Sequence, residues 1–177
     1  MNSFVKLAYQ AIETYLKSGQ VISPPDPLPE NMAGPGAVFV SLHTGQAMLR
    51  GCRGTITPTE PNLAQAIINT AIASATDDPR FPPMTYDEIE GLDVKVDVLS
   101  ELEPVEDIGQ LDEKKYGVVV QAGYRRALLL PDIAAVDSVP RQLQLVRQKA
   151  GIGPDEPADL FRFTVTRYTM DMDEAPC

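Results

Sequence analysis

The chain has 177 residues and a hydrophobic fraction of 44%, enough to bury a core as one domain or as one domain with a modest extra lobe. A formal net charge of −10 opposes non-specific nucleic-acid binding, which rests on neutralising phosphates with Lys and Arg, and the absence of tryptophan weakens any case for a base-stacking surface. No apolar run approaches the roughly 20 residues of a membrane span, no basic segment leads into an apolar stretch at the N-terminus, and two cysteines make no disulfide framework, so a cytoplasmic location is expected.

In chain order, the first element is a helix. Phe4, Leu7, Ala8, Ala11, Ile12, Tyr15 and Leu16 recur at three- and four-residue spacing, with Ser3 placed to cap the start and Gly19 the end. A proline-rich loop follows from Ser23 to Gly36. Residues 37–43 alternate as a strand with Val38, Val40 and Leu42 on one side. Thr44-Gly45-Gln46 reads as a hairpin turn, and 47–52 as the return strand. Pro61 suits the first turn of a second helix, whose stripe is Leu63, Ala66, Ile67, Thr70 and Ala71.

Asp77-Asp78-Pro79-Arg80-Phe81-Pro82-Pro83 ends that helix, and Thr85 with Glu88 forms a capping-box pattern for a short one closed by Gly91. Val94, Val96 and Val98 mark a strand. A second hairpin turns at Gly123-Tyr124, a further helix starts near Pro140 and ends at Gly151, and 161–168 reads as one last strand with Phe161, Phe163 and Val165 facing inward. The acidic tail, 171–177, is expected to be mobile. Hairpins mixed with separate helices, without regular βαβ alternation, predict an α+β fold with a largely antiparallel sheet.

Leu49-Arg50-Gly51-Cys52-Arg53-Gly54-Thr55 is the stretch richest in chemistry. A thiol reacts as the thiolate, which neighbouring guanidinium charge favours. Glycine on both sides of Cys52 lets a ligand or another strand approach the backbone, and arginine supplies a planar fork for carboxylate or phosphate. The same residues also fit a buried structural cysteine with a glycine bulge.

Other chemistries have less support. A turn centred near Gly45 sets Cys52 opposite a residue near Val38 and leaves His43, the only histidine, roughly 15 Å along the ladder, too far to serve as its base. One histidine and one internal cysteine do not supply a zinc or Fe–S ligand set, so no metal is expected there. Asp77 and Asp78 fit either a Mg²⁺ site or an ordinary turn. Neither phosphate-binding glycine motif occurs. Arg80 fits an anion or an internal pair with Asp78. Arg50, Arg53, Arg80, Arg125 and Arg126 within an acidic chain favour a small anionic ligand over a polymer.

The stretch 49–55 resembles the hallmark of the AMMECR domain family, also called AmmeMemoRadiSam system protein A. Three further matches follow in family order: Asp77-Asp78-Pro79-Arg80-Phe81, Leu128-Leu129-Leu130-Pro131 and Lys149-Ala150-Gly151. The resemblance covers about Val38 to Val165. Two departures stand out: Arg53 replaces the usual isoleucine, and Tyr116 replaces a histidine found before the glycine in many members.

The resemblance implies one AMMECR-like domain over 1–177, α+β and two-lobed, with the cysteine motif near a cleft between a larger and a smaller lobe. It also implies Memo-like and radical SAM proteins as partners, while leaving the cofactor unknown. The reading that follows gives Cys52 a reactive thiol and Arg50, Gly51, Arg53, Gly54, Thr55, Asp78 and Arg80 a small anionic ligand to hold. The competing reading is a non-catalytic interaction module with an inert Cys52.

Overall fold

A computed structural model of the chain describes residues 1–171; the acidic tail lies outside the described residues from 172 onward. The elements are α1 (Ser3–Ser18), α2 (Glu30–Ala33), β1 (Ala37–Thr44), β2 (Met48–Gly54), α3 (Leu63–Thr76), β3 (Asp93–Leu99), β4 (Glu103–Pro104), β5 (Gly117–Ala122), β6 (Arg125–Leu129), α4 (Val139–Ala150), β7 (Asp159–Phe163) and β8 (Val165–Tyr168). Short 3₁₀ turns lie at Tyr86–Ile89 and Ile108–Gln110. The α+β expectation holds, but as two four-stranded sheets, ordered β2-β1-β3-β8 and β4-β7-β5-β6. The chain divides into two compact units, Met1–Leu99 with the segment from Thr166, and Ser100–Val165.

The first unit is built on alternation. On β1, Val38, Val40 and Leu42 are fully buried while Phe39, Ser41 and His43 face the other side of the sheet. Val94 and Val96 of β3 continue the buried face. Helices α1 and α3 pack on each other and on this sheet, burying Val5, Ala8, Ile12, Ile67 and Ile68 completely. Each large aliphatic side chain buried this way stabilises the unit by about 1.5–3 kcal/mol. The rings of Phe4 and Tyr168 stack at 4.2 Å between centroids, joining α1 to β8.

Helix ends are set by their caps. Asn2, not Ser3, caps α1: its Oδ1 accepts from the Phe4 N–H at 3.0 Å, and Gly19 closes the helix at φ +71°. Helix α3 starts two residues after Pro61, because Asn62 takes the capping position and accepts from the Gln65 N–H.

The second unit packs α4 on β5 and β6, enclosing Val118, Val120, Ala127, Val146 and Ile152. The continuous strand expected at 161–168 is two strands, one in each sheet. Its alternation carries no glycine or proline, so nothing in the pattern marks the break. The break falls at Thr164, whose N–H donates to Ser100 Oγ and whose carbonyl accepts from the Ser100 N–H, both at 2.9 Å.

The β1–β2 hairpin differs from expectation in register. Thr44 pairs with Met48, so the turn holds three residues, Gly45, Gln46 and Ala47. Ala47 sits at φ +59°, where an L-residue costs roughly 1–2 kcal/mol that glycine avoids. After allowance for the greater freedom of unfolded glycine, Ala47→Gly is expected to stabilise the protein by about 0.5–1 kcal/mol in urea melts.

Candidate functional site around Cys52

Strand β2 forms one edge of the first sheet. Leu42 pairs with Gly51 and His43 with Leu49, leaving Arg50 as the extra residue of a bulge. Bulges redirect side chains. Arg50 here donates Nε to Glu88 Oε1 at 2.7 Å and Nη2 to Oε2 at 3.1 Å. Glu88 also accepts from the Thr85 N–H, so one carboxylate caps the 3₁₀ turn and holds Arg50. Its carboxyl is held below the usual value, chiefly by Arg50.

Gly51 turns toward α3. A Cβ there would meet the Ser74 carbonyl oxygen at 2.0 Å, so only glycine permits this approach of strand to helix. Ser74, almost wholly buried, fastens the junction: its hydroxyl accepts from the Arg53 N–H at 3.0 Å and lies 2.9 Å from the Val40 carbonyl. Gly54 lies under the Phe39 ring, its cross-strand partner, an arrangement in which an aromatic covers the gap left by an edge glycine.

Asp78 is the centre of the site. Its carboxylate is almost fully buried. Oδ2 accepts from the Cys52 N–H at 2.8 Å and from Arg80 Nη2 at 2.7 Å; Oδ1 accepts from the Arg80 Nε and backbone N–H, both at 3.0 Å. The Arg80 guanidinium therefore holds the carboxyl far below the ordinary range, against the opposing effect of burial. Both oxygens are met by N–H donors, which suits an arginine anchor and not a cation site. The Arg80 side chain is 55% exposed, and its charge is favoured first by Asp78 and also by Cys52. The Phe81 ring lies near both guanidinium carbons, 5.9 Å from that of Arg50 and 5.6 Å from that of Arg80, within cation–π range.

Cys52 is half-buried. It pairs with Ser41, not with a residue near Val38. His43 follows two residues later on the same face of β1, so the separation of roughly 15 Å inferred from the sequence is corrected to that of diagonal neighbours, about 7–8 Å. The three-residue turn and the Arg50 bulge together produce the shift. Burial and, after it, Lys95 hold the His43 imidazole below its ordinary pKa, so it is neutral at pH 7. Its Nδ1 is buried without a hydrogen-bond partner among the described residues.

The structure thus brings Arg50, Gly51, Cys52, Asp78 and Arg80 together, with Arg50 already engaged by Glu88. Arg53 and Thr55 lie apart from the thiol, along a small surface pocket that Gly54 also lines. Glu88, Ser74 and Phe81 complete the site; a capping residue, a mid-helix serine and a loop aromatic give little sign of such roles in a sequence.

In the second unit, Lys149 Nζ donates to the Leu128 carbonyl at 3.1 Å and Gly151 caps α4 at φ +69°. Two of the four recognisable motifs are therefore architectural there. The Tyr116 ring lies 4.9 Å from Lys115 Nζ and 4.4 Å from the Arg162 guanidinium carbon. Its carbonyl accepts from the wholly buried Gln142.

The AMMECR1 family description matches residues 5–172. A Thermotoga maritima protein is 52% identical over 93% of this chain and 96% of its own length. Protein CA_C1420 of Clostridium acetobutylicum is 41% identical over 93% of this chain, which spans only 35% of that longer protein. The crystal structure of protein PH0010 from Pyrococcus horikoshii superposes with a TM-score of 0.88 at 35% identity, covering 98% of this chain and 92% of that one. On both sequence and fold, the chain belongs to the AMMECR1 family.

Proposed function

We propose that this protein uses Cys52 as a reactive thiol toward a small anionic substrate. One observation carries the reading: the buried Asp78 carboxylate binds the Cys52 N–H and the Arg80 guanidinium together. A fixed, half-exposed positive charge beside a sulfur favours the thiolate and attracts an anion. The neutral His43, two residues along on the same sheet face, is the candidate base in this reading. Arg50, tied to Glu88, supports the site and does not meet the substrate in this reading. Protein purified gently from its native cells is expected to carry a mass increment on Cys52 that is absent from Cys52→Ser. An unmodified Cys52 that is also inert to soft electrophiles would favour the second reading.

That second reading is an interaction module, with a Memo-like or radical SAM protein as partner. It is favoured by the occurrence of the domain within the longer Clostridium chain. An apolar groove of about 700 Å³ in the second unit, lined by Ile108, Leu143, Ile152 and Leu160, offers a surface for it. Ile108→Asp, at an exposed position, is expected to abolish binding of a Memo-like protein if this reading is right and to leave it unchanged otherwise.

A further inference from the structure

The small pocket beside β2 has a composition that the thiol does not use. Its volume is about 200 Å³, and it is lined by Arg53, Thr55, Glu60, Asn69 and Thr70 among others. Arg53 pairs across the ladder with Val40, on the helix-facing side, whereas Cys52 pairs with Ser41 on the opposite side. The pocket is therefore distinct from the thiol site.

Three features of the pocket are unspent. The exposed Arg53 guanidinium has no ion-pair or hydrogen-bond partner among the described residues. Among the described residues, Glu60 accepts one hydrogen bond, from Asn69 Nδ2 at 2.9 Å, and has no ion pair. Thr55 Oγ1 is buried without a hydrogen-bond partner among the described residues, although buried hydroxyls are normally satisfied. Opposite charges line one small pocket and do not pair with each other.

We propose that this pocket binds a small zwitterion of the α-amino-acid type. The ligand carboxylate meets Arg53, its ammonium meets Glu60, and Thr55 Oγ1, exposed by rotation of its side chain toward the pocket, bonds one of the two. Arginine matches a carboxylate through its planar fork. The Glu60 carboxylate facing the same space repels a simple anion such as phosphate. The volume limits the ligand to a small side chain.

The test is a titration of the ¹⁵N-labelled full chain with glycine and alanine, set against acetate and methylammonium as half-ligands. Saturable shifts are expected at Arg53, Thr55, Glu60 and Asn69, with each half-ligand at least tenfold weaker. Arg53→Gln and Glu60→Gln are each expected to weaken glycine at least tenfold. Thr55→Val, which removes only the orphan hydroxyl, is expected to weaken it severalfold without lowering the melting temperature, whereas a structural role would lower it. No saturable shift with glycine at concentrations well above millimolar would overturn the proposal. So would acetate binding as tightly as glycine.

Discussion

Gly51→Ala is expected to destabilise the protein by about 3 kcal/mol or more, a large effect for one methyl group. The added Cβ would stand 2.0 Å from the Ser74 carbonyl oxygen, which is backbone inside α3. A side chain in the way can rotate; a helix carbonyl cannot. Strand β2 or helix α3 must move by more than an ångström, which breaks the Ser74 bonds to Arg53 and Val40. Overpacking ordinarily costs about 1–3 kcal/mol, and the lost buried hydrogen bonds add about 1 kcal/mol each. For a chain of this length, a fall in Tm of roughly 6–12 °C follows. Gly54→Ala meets the Phe39 ring instead, which can turn aside, so its penalty is expected to be smaller.

Asp78→Ala is expected to cost about 3 kcal/mol. It removes the acceptor of four hydrogen bonds, three of them from Arg80, and leaves the Cys52 N–H without its partner. Bonds to a charged group contribute about 1.5–3 kcal/mol, and an orphaned buried donor adds to the loss. Arg80→Ala leaves a buried carboxylate unpaired. Because Arg80 is half exposed, that loss is about 2 kcal/mol, below the 3–5 kcal/mol of a fully buried pair.

The pH dependence has a definite sign. The Asp78 and Glu88 carboxyls are both depressed in the folded protein, each first by its arginine. Their contribution is complete above the unfolded carboxyl values, near pH 4, and is lost as pH falls toward the folded ones. The stability gap between wild type and Asp78→Asn, measured by urea melts, is therefore expected to be constant near neutrality and to narrow below about pH 4.

Elements with strong periodicity were legible in the sequence. The α1 stripe, the Val38-Val40-Leu42 face of β1, the capping box of Thr85 and Glu88, and the Gly123 turn all appear where the pattern puts them. Register was not. It depends on a turn residue at positive φ and on a bulge, and the residues concerned, Ala47 and Arg50, are not ones that advertise either. The error mattered, because it carried His43 away from Cys52.

The central contact of the site was hidden for a different reason. Asp78 and Cys52 are far apart in sequence and meet only when the loop after α3 folds back on β2. The alternatives for Arg80, anion ligand or internal partner of Asp78, looked exclusive in sequence. In the fold the internal pair holds the guanidinium beside Cys52, where half of it stays exposed.

The most direct test of the thiol reading is the rate of iodoacetamide alkylation at Cys52 at pH 7, in a Cys177→Ser background, with the urea-unfolded chain as reference. Each unit by which a thiol's acidity rises gives about tenfold more thiolate and about threefold less intrinsic nucleophilicity, a net gain of roughly threefold. Folded Cys52 should therefore react at least threefold faster than the unfolded chain. Arg80→Gln should lose that advantage, and Arg80→Lys should keep part of it. A folded rate equal to or below the unfolded one, or one indifferent to Arg80→Gln, would contradict a thiol activated by the Asp78–Arg80 anchor.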